Sequence, residues 1–512
     1  MMKDIIIDCF AGGGGASVGI EMALGRPIDI AINHDPDAIA MHKINHPDTL
    51  HLTEDILKVN LKRHLKWGQK VRMMWASPDC TSHSRAKGGK PIKRGLRILP
   101  MSVYRLCKQI LKATGSLPEV VMMENVAEIQ DWGPLDENDR PIKDRKGEHY
   151  QKFVKLMKNL GYRFECRELV AADYGAPTTR KRWYAVFRFD DKPIVWPEVT
   201  HNKYGTDGMK KWEPIVNYIN FNDLGRSIFG RKKPLAVNTM NRIARGLQKF
   251  VFDSPEPFIV QVNHGGDNFR GQSIHEPIPT ITQKHGYGIV SPLLIQYHSE
   301  TAKNEVRGQS VDEPIMTIDT SPRYGLAAAF LTKFYKSGCG QSLLEPLHTI
   351  TTSPGHFGQI SILSIDYKQL IASGVDAETA QKCTWVSEFI MEYYGCGIGQ
   401  SLNDLLHTVV TKDRFALITV LGNEYAILDI FLRMLEPEEL KLGQGFPRDY
   451  IISFKRSNGK PYPKSEQVKR IGNSVVPIMA MALTEANCPY LKVGERIGNM
   501  MIDDMAQQLR FA

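Results

Sequence analysis

The sequence predicts an α/β protein built on a doubly wound parallel sheet, and three observations carry that prediction. Between residues 1 and about 200, short apolar runs that read as buried strands alternate with stretches of helical spacing. The first run ends in a glycine-rich turn that leads directly into a helix. At 512 residues the chain is long enough for two or three domains with sizeable cores.

Ile5-Ile6-Ile7 reads as the first strand, and Gly12 to Gly15 open a helix through Val18-Gly19-Ile20-Glu21-Met22-Ala23-Leu24. Residues 71–76 and 120–123 are further apolar runs, each ending at polar residues, and 99–113 and 150–160 carry helical spacing. Buried strands separated by helices need crossover connections, which is why a parallel sheet is expected.

From about 205 to 420 the character changes. Gly-Gln-Ser recurs with its glycine at 271, 308, 340 and 399, and a Thr follows nine positions later at Thr280, Thr317, Thr349 and Thr408. Three copies carry Glu-Pro before that Thr, and an apolar or aromatic run precedes each triplet, as in Phe258-Ile259-Val260 or Phe389-Ile390-Met391. Gly and Pro punctuate while Thr, Val and Ile favour extended chain, so each copy reads as strand, turn, strand. The uneven spacing argues for a duplicated β module with insertions rather than a solenoid. The tail returns to helical spacing, and 427–440 and 475–486 are both expected to be amphipathic helices, with Pro437 and Pro477 near their boundaries. The expected division is 1–204, 205–425 and 426–512.

Composition excludes several classes. With 42% hydrophobic and 24% charged residues the chain is neither disordered nor collagenous. No apolar run approaches the roughly 18–20 residues of a membrane helix, and Asp8 interrupts the start before it could act as a secretory leader. A net charge of +9 fits a nucleic-acid partner, although many enzymes share it. The eight cysteines show no CxxC pair, so a disulfide frame or a metal cluster is not expected, and a reduced cytoplasmic protein is.

Three stretches carry chemistry. Asp8-Cys9-Phe10-Ala11-Gly12-Gly13-Gly14-Gly15 places a glycine turn at a helix start, where a ligand approaches the backbone and free N–H groups await it. Dinucleotide, S-adenosylmethionine and phosphate sites share this pattern, although it is not GxGxxG. A tight turn without a ligand is the weaker reading, because four glycines cost entropy without helping the fold. Ser77-Pro78-Asp79-Cys80 then ends an apolar strand, where α/β sheets bind ligands, and the basic run Arg85 to Arg94 behind it favours a thiolate. Asp79 beside Cys80 works against those cations. The other seven cysteines read as small buried hydrophobes. Third, Glu124-Asn125-Val126 follows another strand, so burial can tune the Glu124 carboxyl for acid or hydrogen-bonding work.

Taken in order, these stretches resemble the C5-cytosine-specific DNA methyltransferase family of bacterial or phage type. Tyr174-Gly175-Ala176-Pro177 with Arg180-Lys181-Arg182 resembles its Arg-x-Arg motif, although Thr178 stands where Gln is usual. Arg433-Met434-Leu435-Glu436-Pro437-Glu438-Glu439 with Gln444-Gly445-Phe446-Pro447, and Gln467 with Gly472-Asn473-Ser474-Val475-Val476-Pro477, resemble its closing motifs. The nucleophile motif departs from the usual Pro-Cys-Gln through Asp79 and Thr81, and Asn33 stands at the ribose-binding acid.

The resemblance implies a Rossmann-like S-adenosylmethionine-dependent domain with a large inserted, β-rich target-recognition domain at 205–425, completed by 426–512. It implies Cys80 as the nucleophile on C6 of a flipped cytosine, Glu124 holding N3 and the amine, and Arg180 and Arg182 orienting the base and Glu124. Phe10, Ala11, Gly12, Gly13, Gly14, Gly15, Asn33, Asp35, Asp55, Ile56, Pro78, Asn473 and Ser474 are implied at the cofactor. Asp55 reads equally well as a solvated turn acid. Ser84, Arg85, Lys87, Lys90, Arg94 and Arg97 are implied at duplex DNA. The basic stretch from Arg231 to Lys249 and the Gly-Gln-Ser loops read as DNA contacts or as solvated faces and scaffold turns. The implied enzyme is a monomer near DNA, solitary or paired with a separate restriction endonuclease. Methylation of RNA cytosine, or DNA binding without catalysis, are the alternatives.

Overall fold

The computed structural model describes residues 3–79, 97–218, 220, 223, 226–235, 436–456 and 458–493, with the strand segments named below between 258 and 434 and between 500 and 511. Expectations for Cys80, Ser84, Arg85, Lys87, Lys90 and Arg94, for residues 236–249 and 389–391, for the fourth Gly-Gln-Ser copy and for the four threonines of the repeat lie outside the described residues.

In chain order the first half runs β1 (Ile5–Cys9), α1 (Gly15–Leu24), β2 (Ile30–Ile32), α2 (Pro36–Asn45), β3 (Leu50–Leu52), β4 (Val71–Ala76), α3 (Leu99–Thr114), β5 (Val120–Asn125), α4 (Glu148–Asn159), β6 (Arg163–Val170) and β7 (Lys181–Arg188). These strands form one sheet in the order β3-β2-β1-β4-β5-β7-β6. β1 to β5 run parallel, as the alternating pattern predicts, whereas β7 is antiparallel to both β5 and β6. The winding reverses between β1 and β4, which opens a crevice beyond their carboxyl ends.

Both faces are covered along the central strands, so β1, β4 and β5 are largely apolar on both sides, whereas the edge strands β3 and β6 are partly exposed. Ile5, Ile7 and Cys9 of β1 enter a core with Val103, Leu106 and Ile110 of α3 and Phe153 and Met157 of α4. Ile6 enters the opposite core with Ile20 and Leu24 of α1. Cys9, Cys107 and Cys488 are buried and Cys166 is half-buried. Among the described residues no helix is long and apolar enough to cross a membrane, and no group of His, Cys, Asp and Glu is placed to hold a metal.

A second sheet of ten strands is described by its backbone. It runs from Arg226–Ser227 through Asn423–Met434, Phe357–Asp366, Tyr324–Lys333, Tyr287–Gln296 and Phe258–Gln261 to Gly271–Ser273, each neighbour antiparallel. Two Gly-Gln-Ser triplets pair in the same register. Gly271, Gln272 and Ser273 lie opposite Val260, Ile259 and Phe258, and Gly308, Gln309 and Ser310 opposite Ile295, Leu294 and Leu293.

This sheet corrects one expectation. Residues 427–434 belong to the strand Asn423–Met434, not to a helix. Ile427, Ile430, Phe431 and Met434 satisfy helical spacing, but β-branched and aromatic residues also suit a strand, and pairing with Phe357–Asp366 decides between them. Pro437 then opens α5 (Pro437–Gly443), followed by α6 (Lys464–Asn473) and α7 (Pro477–Asn487). Glu436 and Glu439 form a capping box at the start of α5.

The tail packs on the first turn of the chain. Ser474 Oγ accepts from Gly15 N–H at 3.0 Å, and the Tyr450 hydroxyl donates to Gly13 O at 2.9 Å. A Cβ on Gly13 would lie 2.7 Å from Arg470 O, on Gly14 2.0 Å from the Tyr450 hydroxyl, and on Gly15 2.0 Å from Val475 O. The glycine run therefore does serve the fold, because three of its members are small so that the tail fits against them. Gly12 differs, since among the described residues a Cβ there would meet only Phe10 O at 3.8 Å.

Beneath this turn runs a buried polar chain. The Ser17 hydroxyl donates to Asp8 Oδ2 at 2.6 Å, His42 Nε2 lies 2.9 Å from Ser17 Oγ, and His51 Nε2 lies 2.8 Å from His42 Nδ1. Burial pushes the Asp8 carboxyl up to about 7, against the pull of Ser17. Burial and the neighbouring His46 and His51 hold His42 well below its ordinary range.

Two predictions follow from this packing. Gly15→Ala lowers stability by about 2 kcal/mol or more and the melting temperature by several degrees. Gly12→Ala melts with the parent, and thermal unfolding that gave equal midpoints for Gly15→Ala and wild type would contradict the packing. For Asp8, the unfolded chain releases its proton near pH 3.8 while the folded chain keeps it to about 7. Stability contributed by Asp8 thus falls as pH rises through that window. Relative to wild type, Asp8→Asn gains stability from pH 4 to 7 and no further above it. Denaturant unfolding across this range checks it, and a pH-independent difference would contradict it.

Candidate active site

The carboxyl ends of β1 to β5 collect most of the residues that the sequence singled out. Phe10 follows β1 with φ of 68°, and Ala11 N–H donates to Ile32 O at 3.0 Å, which ties the turn to β2. Asn33 follows β2, half-buried, and its Oδ1 accepts from Asp35 N–H at 2.8 Å. Asp35 caps α2, with Oδ1 accepting from Asp37 and Ala38 N–H at 2.9 and 3.2 Å and Oδ2 paired with Arg470. Burial raises the Asp35 carboxyl, but the Arg470 guanidinium outweighs it and holds it below the ordinary range. Asp55 is exposed on the turn after β3, and Ile56 is buried. Arg105 of α3 donates to Ile56 O and pins that turn.

Beyond β4, Pro78 is buried, and Asn125 Nδ2 donates to its carbonyl at 2.9 Å. The end of β5 thereby fixes the backbone that leads into Cys80. Alternation along β5 puts Glu124 on the face of Val120 and Met122, opposite Tyr184 of β7. Its carboxylate is buried, with Arg182 Nε at 3.3 Å and Arg180 Nη2 at 3.9 Å from Oε1. These arginines reach Glu124 because β7 runs antiparallel to β5, which brings the start of one strand to the end of the other.

Arg180 also donates through Nη1 to Gly472 O at 2.9 Å, so the closing motif touches the same cluster. Ser474 is buried on the glycine turn, whereas Asn473 is exposed. Thr178, where the resemblance has Gln, is fully buried and accepts from Arg180 N–H at 3.3 Å. Arg97 is buried before α3, and burial lowers its guanidinium from the ordinary range.

Several residues that build this site escape a reading by motif. Asn125 sits inside Glu-Asn-Val, yet its partner Pro78 lies 47 positions away. Arg470 joins α6 to the cap of α2, and Lys441, deeply buried, donates to Arg448 O and Tyr450 O at 2.8 and 2.9 Å. Neither Arg470 nor Lys441 stands in a sequence pattern that signals such a role.

Comparison with known proteins agrees with this geometry. Residues 5–250 match the family model for C-5 cytosine-specific DNA methylase. The chain is 27% identical over 298 residues to Type II methyltransferase M1.HphI of Haemophilus parahaemolyticus, covering 57% of this chain and 68% of that protein. It is 27% identical over 213 residues to Type II methyltransferase M.AquIA of a Picosynechococcus species, covering 39% of this chain and 78% of that protein. A crystal structure of Spodoptera frugiperda DNMT2 aligns over 95% of this chain and 99% of that chain, with a TM-score of 0.44 and 14% identity. With Glu124 and the Arg-x-Arg pair brought together at the edge of a mostly parallel sheet, residues 5–250 carry the C-5 cytosine-specific DNA methylase domain, and this match together with the two Type II methyltransferase relatives identifies the chain as a DNA cytosine-C5 methyltransferase.

Proposed function

We propose that this enzyme transfers a methyl group from S-adenosylmethionine to C5 of a cytosine flipped out of duplex DNA, through a transient bond between the Cys80 sulfur and C6. One observation carries the reading. Glu124 is held against Arg182 at 3.3 Å, and the adjacent Asn125 grips the carbonyl of Pro78, two positions before Cys80.

The crevice fits the methyl donor. Among the described residues a Cβ on Gly12 would meet only Phe10 O, at 3.8 Å, which supports a close approach of a ligand to the backbone there. Phe10, Asn33, Asp55 and Pro78 follow β1, β2, β3 and β4 along one edge of the sheet, where such a cofactor would lie. Asn33 replaces the usual acid at the ribose, and because Asp35 is engaged by Arg470, we assign the ribose contact to Asn33. S-adenosylmethionine supplies an electrophilic methyl group.

Cytosine C5 is a weak nucleophile. Addition of the Cys80 thiolate to C6 makes C5 enamine-like, while Glu124 hydrogen-bonds N3 and the exocyclic amine and stabilises charge drawn into the ring. Arg182 and Arg180 orient Glu124 and the base. After methylation at C5, loss of the C5 proton expels the sulfur. A stacked base is out of reach of this machinery, so it must leave the helix at a cost of a few kcal/mol. Phosphate contacts by the loop with Ser84, Arg85, Lys87, Lys90 and Arg94 offset that cost, with Arg97 anchoring its end. We assign residues 205–425, whose described backbone is dominated by the ten-stranded antiparallel sheet, to target recognition. The Type II names of the relatives support pairing with a separate restriction endonuclease.

Tritium transfer from labelled S-adenosylmethionine to duplex DNA tests the assignments. Cys80→Ser loses methyl transfer and keeps most of its DNA affinity. Glu124→Gln lowers kcat by about 100-fold or more at unchanged cofactor affinity, as expected when a group acts mainly on the transition state. Substantial turnover by Cys80→Ser would remove the sulfur from the reaction.

A further inference from the structure

The loop 200–212 has no role in the chemistry above, yet hydrogen bonds close it at its ends and fix its tip. Its ends are tied by Lys210 N–H donating to Thr200 O and Trp212 N–H to Asn202 O, both at 3.0 Å. Inside it, Asn202 Oδ1 accepts from the N–H groups of Tyr204, Gly205 and Thr206 at 3.1, 2.6 and 3.1 Å. The Asn202 amide nitrogen donates to Thr206 O at 2.9 Å, so one side chain fixes three successive residues at the tip.

The loop is anchored to the connection between β6 and β7. Thr200 N–H donates to Asp173 O at 3.0 Å and Trp212 Nε1 to Asp173 Oδ1 at 2.9 Å. The His201 ring occupies the space a Cβ on Gly175 would need, at 2.7 Å. That connection lies beyond the carboxyl end of β5, because Trp183 near the start of β7 lies opposite Asn125, and it leads into Arg180 and Arg182. The loop therefore stands on the same edge of the sheet as Glu124.

What the loop displays is cationic and aromatic. Tyr204 is 68% exposed at its tip, with the Lys203 ammonium 5.0 Å from the ring centre. Lys210 and Lys211 are exposed, and Asp207 is the single acid against three lysines. Burial and the nearby Lys210 lower His201 below its ordinary range, against the pull of Glu213. A compact loop with closed ends that holds a large aromatic residue in water, among like charges, is organised for contact.

We propose that the loop 200–212 docks on the phosphate backbone of duplex DNA lying across the carboxyl edge of the sheet, with Lys210 and Lys211 toward phosphates and Tyr204 against the sugar-phosphate strand. The proposal rests on the DNA-methylating function above. Phosphate binding is independent of sequence, so a random-sequence 30-base-pair duplex is a sufficient probe.

Binding of the full chain to that duplex is measured across a salt series. The double variant Lys210→Ala, Lys211→Ala weakens binding about tenfold at physiological salt and makes the slope of log affinity against log salt shallower by about 2. Tyr204→Ala weakens binding severalfold and leaves the salt slope unchanged. Both variants keep the parent's affinity for S-adenosylmethionine, which shows an intact fold. If the parent binds and the lysine variant matches it in affinity and slope, the docking surface is overturned while the proposed function stands. If the parent neither binds duplex DNA nor methylates it, the proposed function falls and the surface with it.

Discussion

The site depends on one long-range constraint, the return of the tail to the first turn of the chain. Ser474 Oγ receives Gly15 N–H across 459 positions of sequence, and Gly472 O receives Arg180 across 292. One short segment thus stands between the glycine turn and the arginines that hold Glu124. The small size of Gly13, Gly14 and Gly15 permits that approach, and the dense contact of α1 with α7, where a Cβ on Gly19 would lie 2.1 Å from Pro477 O, extends it. The carboxyl edge of the sheet and the closing motif are therefore one unit.

This arrangement carries an energetic burden. Glu124, Arg180 and Arg182 are all buried, and burying charges costs several kcal/mol per ion unless partners and hydrogen bonds compensate. A hydrophobic cluster at the end of β5 would serve stability as well or better. Their presence where Asn125 also fixes the approach to Cys80 is the pattern of a polarised site rather than of a core. The Asp8, Ser17, His42 and His51 chain is a second buried polar system, and it sits under the glycine turn on the α1 side.

Much of the frame is readable in sequence, for physical reasons. Strands covered on both faces must be continuous apolar runs, so β1, β4 and β5 stand out, and α3 and α4 show amphipathic spacing. Glu124 is conspicuous because a carboxylate directly after Val120-Val121-Met122-Met123 is anomalous. Contacts between distant residues are not readable in this way. The glycine run has no packing role until residues 470–475 are set against it, and Asn125 gains meaning only beside Pro78. The segment 427–434 satisfies two periodicities at once, and a neighbouring strand chooses between them.

The most direct test of the account is covalent trapping. Long mixed-sequence duplex DNA in which 5-fluorocytosine replaces cytosine is incubated with the enzyme and S-adenosylmethionine, and the protein is analysed by mass spectrometry after nuclease digestion. Fluorine cannot leave as a proton does, so the account predicts a methylated fluoropyrimidine nucleotide bonded to the peptide that contains Cys80. An enzyme that methylates ordinary duplex DNA yet forms no adduct at that cysteine would contradict it.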